Sequence, residues 1–296
     1  MLKRRSLNDN VIDIINYTLL SVVLVIVLIP LVHVVACSLS DQAMVMAGEI
    51  FLIPRKINLL SYKAVLDYRE IMIGFRNSMI IMAMGTALNL VMTILAAYPL
   101  SRRNLWGRNV LMKMITFTMF FSGGLIPTYL MVGKTLGLMN SWLALILPGA
   151  ISVYNMIIMR TYFTSSIPYE IQEAAEIDGA SHFGTLMRIV LPLSGPVVAV
   201  IGLYYAVGHW NSYFSALLYI SKESLQPLQL HLRKVLILNS SQTMMDMASD
   251  EAARQAMRAE TIKYAVIVLS SVPMLIMYPF VQRFFIKGVM IGSVKG

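Results

Sequence analysis

The chain has 296 residues, of which 57% are hydrophobic and 13% charged, against about 25% charged in a typical soluble domain. That balance excludes an ordinary soluble enzyme and marks an integral membrane protein. The formal net charge of +9 requires no nucleic acid, because cytoplasmic loops of membrane proteins carry excess Lys and Arg and no basic patch with interleaved aromatics occurs. The single cysteine, Cys37, excludes an internal disulfide and a cysteine-based metal site. His33, His182, His209 and His231 lie far apart, with no pair at metal-ligand spacing. The 23 methionines read as gap-fillers between helices.

A span takes about 20 apolar residues to cross a hydrocarbon core of roughly 30 Å. Six segments qualify, near 12–36, 71–100, 110–132, 141–161, 196–220 and 262–285. The expected fold is a single all-α transmembrane domain over 1–296. The run from Val11 to Cys37 is too long for the apolar part of a signal peptide, and no small-residue cleavage site follows it cleanly, so a retained first span is expected. Lys3, Arg4 and Arg5 precede that span. Arg102, Arg103, Arg108 and Lys113 cluster between the second and third. Arg160 and Arg188 border the loop between the fourth and fifth, and Arg283, Lys287 and Lys295 follow the sixth. Six spans place all four groups on one side. That side is expected to be the cytoplasm, with both termini inside.

The other side then holds long loops over 38–70 and 221–260 and a short turn over 134–140. Asp246–Arg258 reads as an Ala-rich helix with acid ahead of base. Long outer loops with structure of their own usually serve recognition.

No motif in the chain carries catalysis. Gly133-Lys134-Thr135 resembles the end of a phosphate-binding loop, but Thr128 stands where its leading Gly belongs. Ionisable residues are nearly absent within the spans, and the interior of the last three offers only His209. An ion-coupled carrier usually needs buried Asp, Glu or His. The energy for transport is therefore expected from a separate ATP-hydrolysing subunit.

The loop over 164–195 carries the strongest signal. Pro168 suits a first helical turn, and Glu170 and Glu173 lie where the helix dipole favours acids. Ala174 and Ala175 are expected to keep one face slim. Gly179 ends the helix, because glycine takes a left-handed cap cheaply. Ser181 caps a second short helix running to Arg188, and Pro192 is expected to stop it before the fifth span. The result is a helix–turn–helix projection with acidic side chains. A helix lying on the membrane surface would instead want Lys and Arg on its polar face.

The order Glu173-Ala174-Ala175, three residues, Gly179, nine residues, then Ile189-x-Leu191-Pro192 resembles the EAA loop of permease subunits in binding-protein-dependent ABC importers. SSIPYEIQEAAEIDGAS, HWNSYFSALLY and IPRKINLLSYKAVL are similar to the sugar-importer branch, and the likeness covers almost the whole chain. The resemblance implies that Glu170, Glu173, Ala174, Ala175, Asp178, Gly179, Ile189, Leu191 and Pro192 belong to an ATPase-coupling element. The tail Gly292, Ser293, Val294, Lys295 and Gly296 resembles that of the smaller maltose-importer permease, which implies an ATPase contact. FFSGGLIPTYL resembles the sub-branch handling large oligosaccharides, which implies uronate polymers such as alginate or pectin pieces. The implied partners are a second homologous permease, a dimer of ATP-binding subunits that hold ATP and Mg, an extracytoplasmic solute-binding protein, and lipid of a bacterial inner membrane. No cofactor or metal is expected in this chain.

Sugars bind through aromatic faces and through hydrogen bonds from Asn, Gln, Ser and Tyr. Tyr204, Tyr205, Trp210, Asn211 and Tyr213 in the fifth span, with Tyr154 and Asn155 in the fourth, are the candidate pathway residues. Aromatics near span ends also serve as interface anchors. A small sugar or a peptide remains an alternative solute, and an ion-coupled carrier an alternative class.

Overall fold

A computed structural model of the chain describes residues 7–234, 262–280 and 282–283. Among these residues all regular structure is helical. Contacts divide the chain into two units, Met1–Arg69 with Leu232–Ser271, and Glu70–His231 with Val272–Gly296.

The first unit opens with α1 (Leu7–Ser38), which contains Pro30. Its apolar side chains face outward over most of Val11 to Val35. Such exposure suits lipid, whose acyl chains are as apolar as leucine. The following loop, 38–70, folds back on the end of α1. Ser40 Oγ donates to the Ala36 carbonyl at 2.6 Å and accepts from the Arg55 N–H at 3.1 Å. Ser38 and Tyr62 share a hydroxyl hydrogen bond of 2.8 Å. Ile50 buries itself beside Ala36 and Cys37. Two short helices lie in this loop. Asp41 caps α2 (Gln42–Met46) by accepting from the Ala43 N–H at 3.1 Å, and α3 (Leu60–Asp67) follows.

In the second unit α4 (Arg69–Ser101) is long and apolar enough to span. The expected third span, 110–132, is not one helix. It comprises α5 (Arg108–Phe120) and α6 (Leu125–Leu130), the latter continued by a π turn over Met131–Thr135. The two parts bend by 105°. Gly124, at φ 84°, supplies a backbone conformation that costs other residues strain, and Pro127 sits where α6 needs no donor.

The expected fourth span, 141–161, is also interrupted. Pro148 and Gly149 fall in a break between α7 (Leu143–Ile146) and α8 (Val153–Ser165). Irregular backbone at membrane depth survives only when its polar groups are satisfied within the protein. Asn89 of α4 donates to the Gly149 carbonyl at 3.2 Å, and the Tyr205 hydroxyl accepts from the Ser152 N–H at 2.9 Å. Tyr205 is itself fixed by a 2.7 Å hydrogen bond to Thr93.

After the loop come α9 (Tyr169–Ile177), α10 (His182–Thr185), a π turn over Leu186–Val190, and α11 (Leu191–Leu193). Then α12 (Gly195–Asn211) and α13 (Phe214–Tyr219) share the expected fifth span, with a break at Ser212 and Tyr213. Pro192 does not stop the second loop helix. The π turn precedes it, and a proline within the first turn of α11 removes no needed donor. The chain turns later, at Ser194, bending by 85° into α12.

The last described helix, α14, covers Ile262–Phe280. Three helices are single candidate spans, and five result if each bent pair counts as one. The expected helix at Asp246–Arg258 and the tail Gly292–Gly296 lie outside the described residues.

The main core of the second unit joins α4, α8 and α12. Ala97, Tyr98 and Leu100 meet Met156, Met159 and Phe163, together with Val197, Ile201 and Tyr205. Ile167, Leu186 and Val190 extend this core beneath the loop. Higher along α4, Asn89 also donates to His209 Nε2 at 3.2 Å, and a Cβ on Gly85 would collide with the His209 ring.

Gly85→Ala is therefore expected to lower the thermal stability of the detergent-solubilised protein by about 1–3 kcal/mol, the usual cost of overpacking. Removing the ring in Gly85→Ala/His209→Ala should recover part of that loss. Additive damage in the double variant would contradict the contact.

Candidate functional site

The site is built where α8 hands over to α9. Ile167 is buried in the core. Pro168 then takes an extended conformation, φ −54° and ψ 136°, and sits just before the first helical residue rather than within the turn. The helix runs nine residues and closes at Gly179, which has φ 75°. The Ala180 N–H donates to the Ala175 carbonyl at 2.9 Å, and the Gly179 N–H to the Glu176 carbonyl at 3.1 Å. This is the paired hydrogen-bond pattern of a Schellman ending, which needs a left-handed residue where Gly179 stands. Ser181 Oγ accepts from the Gly184 N–H at 3.1 Å and starts α10.

One face of α9 looks inward. Gln172, Ala175 and Glu176 share it through their spacing of three and four. Gln172 and Ala175 are buried. The two motif alanines are thus split, because Ala174 lies on the exposed side. Facing them is Arg102, one residue beyond α4 and only 5% exposed. Its guanidinium donates to the Gln172 amide oxygen and pairs with the Glu176 carboxylate. The same group lies 5.9 Å from the Tyr98 ring centre and 5.8 Å from that of Tyr169, and Arg103 lies 4.8 Å from Tyr169. Flat, forked arginine suits this combination of two acceptors and ring faces. A second arginine steadies the end of α4, since Arg160 Nε donates to the Leu100 carbonyl at 2.9 Å.

The outward face is acidic and apolar. Glu170, Glu173 and Asp178 are exposed, and Ile177 stands out at 86%. No Lys or Arg occurs between Arg160 and Arg188, so this surface is negative. His182 Nδ1 lies 3.7 Å from the Glu176 carboxylate at its edge. Of the remaining motif positions, Ile189 falls in the π turn, and Leu191 and Pro192 form the start of α11.

The seven candidate pathway residues separate into two sets. Asn155, Tyr205 and Trp210 are buried. Tyr205 braces the break before α8, and Trp210 meets Phe75 edge-on at 5.6 Å. Tyr154, Tyr204, Asn211 and Tyr213 are exposed. Tyr204 and Asn211 fall seven residues apart on α12, which places them on one stripe.

The sequence alone marks Arg102 only as an orienting charge and does not single out Gln172 and Glu176. The pattern that could have found them is a glutamine and a glutamate four apart, on the side of α9 away from Glu173. Their partner is 70 residues upstream of Gln172, and nothing local announces it.

Residues 89–291 match the family described as the inner membrane component of binding-protein-dependent transport systems. The match covers more than half of the chain and includes the whole loop. The chain belongs to that family. It is 42% identical over 287 residues to protein LplC of Bacillus subtilis strain 168, covering 97% of this chain and 95% of the relative. It is 40% identical over 290 residues to the polygalacturonan/rhamnogalacturonan transport system permease protein YtcP of the same strain, covering 98% and all of that protein. Among solved structures it is similar to a chain of a bacterial ABC transporter involved in import of the acidic polysaccharide alginate, with a TM-score of 0.84 and 32% identity, covering 95% of this chain and 99% of that one. As a member of this family the chain is a transport permease component of the membrane, not an enzyme.

Arg102→Met is expected to loosen α9 from the end of α4. Hydrogen exchange across 169–177 should speed up, by roughly ten-fold for a loss of about 1.4 kcal/mol. Glu176→Gln keeps an acceptor for Arg102 and should show a smaller change. Unaltered exchange in Arg102→Met would contradict the anchoring role.

Proposed function

We propose that the chain is one of two homologous permeases lining the pathway of an ATP-driven importer for acidic oligosaccharides or polysaccharide fragments. A dimer of ATP-binding subunits, which hold ATP and Mg, docks on the cytoplasmic loops. A solute-binding protein delivers the ligand from outside. In this reading the chain crosses the membrane six times, with the broken 143–165 segment as the fourth crossing and both termini in the cytoplasm. The tail Gly292–Gly296 adds a second ATPase contact.

The observation that carries the coupling role is the two-sided character of α9. Its outer face presents Glu170, Glu173, Asp178 and Ile177, which suits a basic cleft with an apolar floor. Its inner face is fastened to the end of α4 through Arg102. Force applied outside therefore reaches a spanning helix directly. ATP favours the conformation in which the ATPase pair closes, and the differential affinity of that pair for nucleotide shifts the population of the permease. The core shared by α4, α8 and α12 carries the displacement onward to the pathway.

The solute assignment is supported by two names. One relative transports polygalacturonan or rhamnogalacturonan, and one structural neighbour takes part in alginate import. Both solutes named there are acidic saccharide polymers. The exposed residues Tyr154, Tyr204, Asn211 and Tyr213 offer ring faces and hydrogen bonds that suit sugar rings. Asn155 is buried, and Tyr205 and Trp210 brace the helices that present them.

Glu173→Lys is expected to reduce uptake of oligogalacturonate in cells at least ten-fold, with membrane levels of the protein unchanged. Such a loss corresponds to about 1.4 kcal/mol of coupling. ATPase stimulation by loaded binding protein should fall alongside it. Full uptake and stimulation in this variant would overturn the docking role, whereas uptake of neutral but not acidic oligosaccharides by the unaltered importer would overturn the solute assignment alone.

A further inference from the structure

The chain turns between α5 and α6 at Phe121–Gly124, inside a bent pair that is together long and apolar enough to cross a membrane. Every residue from Phe117 to Pro127 is exposed in this chain. Among the described residues, Ser122 and Gly123 make no hydrogen bond through backbone or side chain. The break at 147–152 is different, because Asn89 and Tyr205 answer it. Unpaired N–H and C=O groups do not face acyl chains, and within a span they survive only against protein or water. Two glycines stand here for different reasons. Gly124 takes φ 84° and ψ 166°, a region essentially reserved for glycine. Gly123 has no positive φ, and a Cβ built on it would meet no atom of the chain. Neither conformation nor internal packing requires glycine at 123. A bare backbone there suits close approach from outside the chain.

The flanking side chains specify what approaches. Phe120 and Phe121 are 74% and 64% exposed, and Phe121 stacks on Phe117 with ring centres 4.3 Å apart. Exposed rings beside unpaired donors and acceptors suit a sugar, whose C–H faces are apolar and whose rim is hydroxyl. Lys113, Phe117 and Phe120 follow at spacings of four and three, on one stripe of α5. Lys113 is exposed and has no ion pair among the described residues. No Asp or Glu occurs between Glu70 and Glu170. The stripe thus offers a uronate carboxylate a cation, and the surrounding sequence no competing acid.

We propose that Ser122 and Gly123, with Phe120 and Phe121, form a contact site for the acidic saccharide in transit. The two backbone N–H groups donate to hydroxyl or carboxylate oxygens, the carbonyls accept from hydroxyls, and the phenyl rings cover the apolar face of the sugar. The site rests on the importer reading above and adds a subsite built from backbone to the side chains of the pathway.

The test places Ser122→Cys in the assembled importer in nanodiscs and follows its modification by a membrane-impermeant methanethiosulfonate. The parent chain, whose one cysteine is the buried Cys37, is the blank. Ser122→Cys should react. Trigalacturonate, supplied with binding protein and ATP at about ten times its half-saturating concentration, should slow that reaction about ten-fold by mass action. No reaction would overturn the proposal in favour of a surface sealed by the second permease or by lipid. Reaction without protection would overturn it in favour of plain solvent contact. In proteoliposomes, Gly123→Leu should raise the trigalacturonate concentration for half-maximal uptake roughly five-fold, the worth of one neutral hydrogen bond. Unchanged half-saturation would also overturn the site. If the unaltered importer takes up no trigalacturonate, the solute assignment falls and this site with it, a result distinct from normal uptake with an unreactive or unprotected cysteine.

Discussion

A buried guanidinium ties the loop of this permease to the end of α4, beside the packing of Ile167, Leu186 and Val190 against the helical core. Arg102 emerges one residue past α4 and meets two acceptors four residues apart on α9. A buried arginine is tolerable only when its charge is compensated, as Glu176 compensates that of Arg102. That requirement fixes α9 in position and rotation, since a turn of the helix about its axis would carry both acceptors away. The same rotation sets which carboxylates point outward. The acidic outer face is thus a consequence of the inner ion pair as much as of the local sequence.

The second constraint is the cost of broken helices in an apolar solvent. The chain interrupts its helices at 121–124, 147–152 and 212–213. The break at 147–152 is answered by side chains from α4 and α12, namely Asn89 and Tyr205. Buried polar residues on otherwise apolar helices are therefore structural fasteners, not stray polarity. The close approach of Gly85 to the His209 ring belongs to the same region, where the missing side chain on α4 leaves room for an imidazole of α12.

Much of the local structure was legible from residue chemistry. Gly179 and Ser181 announced the end of one helix and the start of another, because few residues take a left-handed cap or accept from a helix N-terminus. Composition sufficed for the all-helical membrane class. Three things escaped. Gly123-Gly124 and Pro148-Gly149 sit inside apolar runs, and hydropathy reads through them although the backbone does not. Pro192 looked like a stop, but a π turn ahead of it lets the helix direction continue to Ser194. The Arg102 contact depends on residues about 70 positions apart, and no periodicity reports on that. The aromatic candidates were right in kind but mixed in placement, because alternate residues of one helix, such as Tyr204 and Tyr205, face different surroundings.

The Tyr205 hydroxyl accepts from the first residue ahead of α8 while also bonding Thr93 on α4. Three helices thus meet at one oxygen. A sliding motion of any one of them would have to sever a bond no longer than 2.9 Å made by a buried side chain. Gradual shear there is disfavoured, and the three helices are expected to travel as a clamped bundle or to release in one step, like a latch.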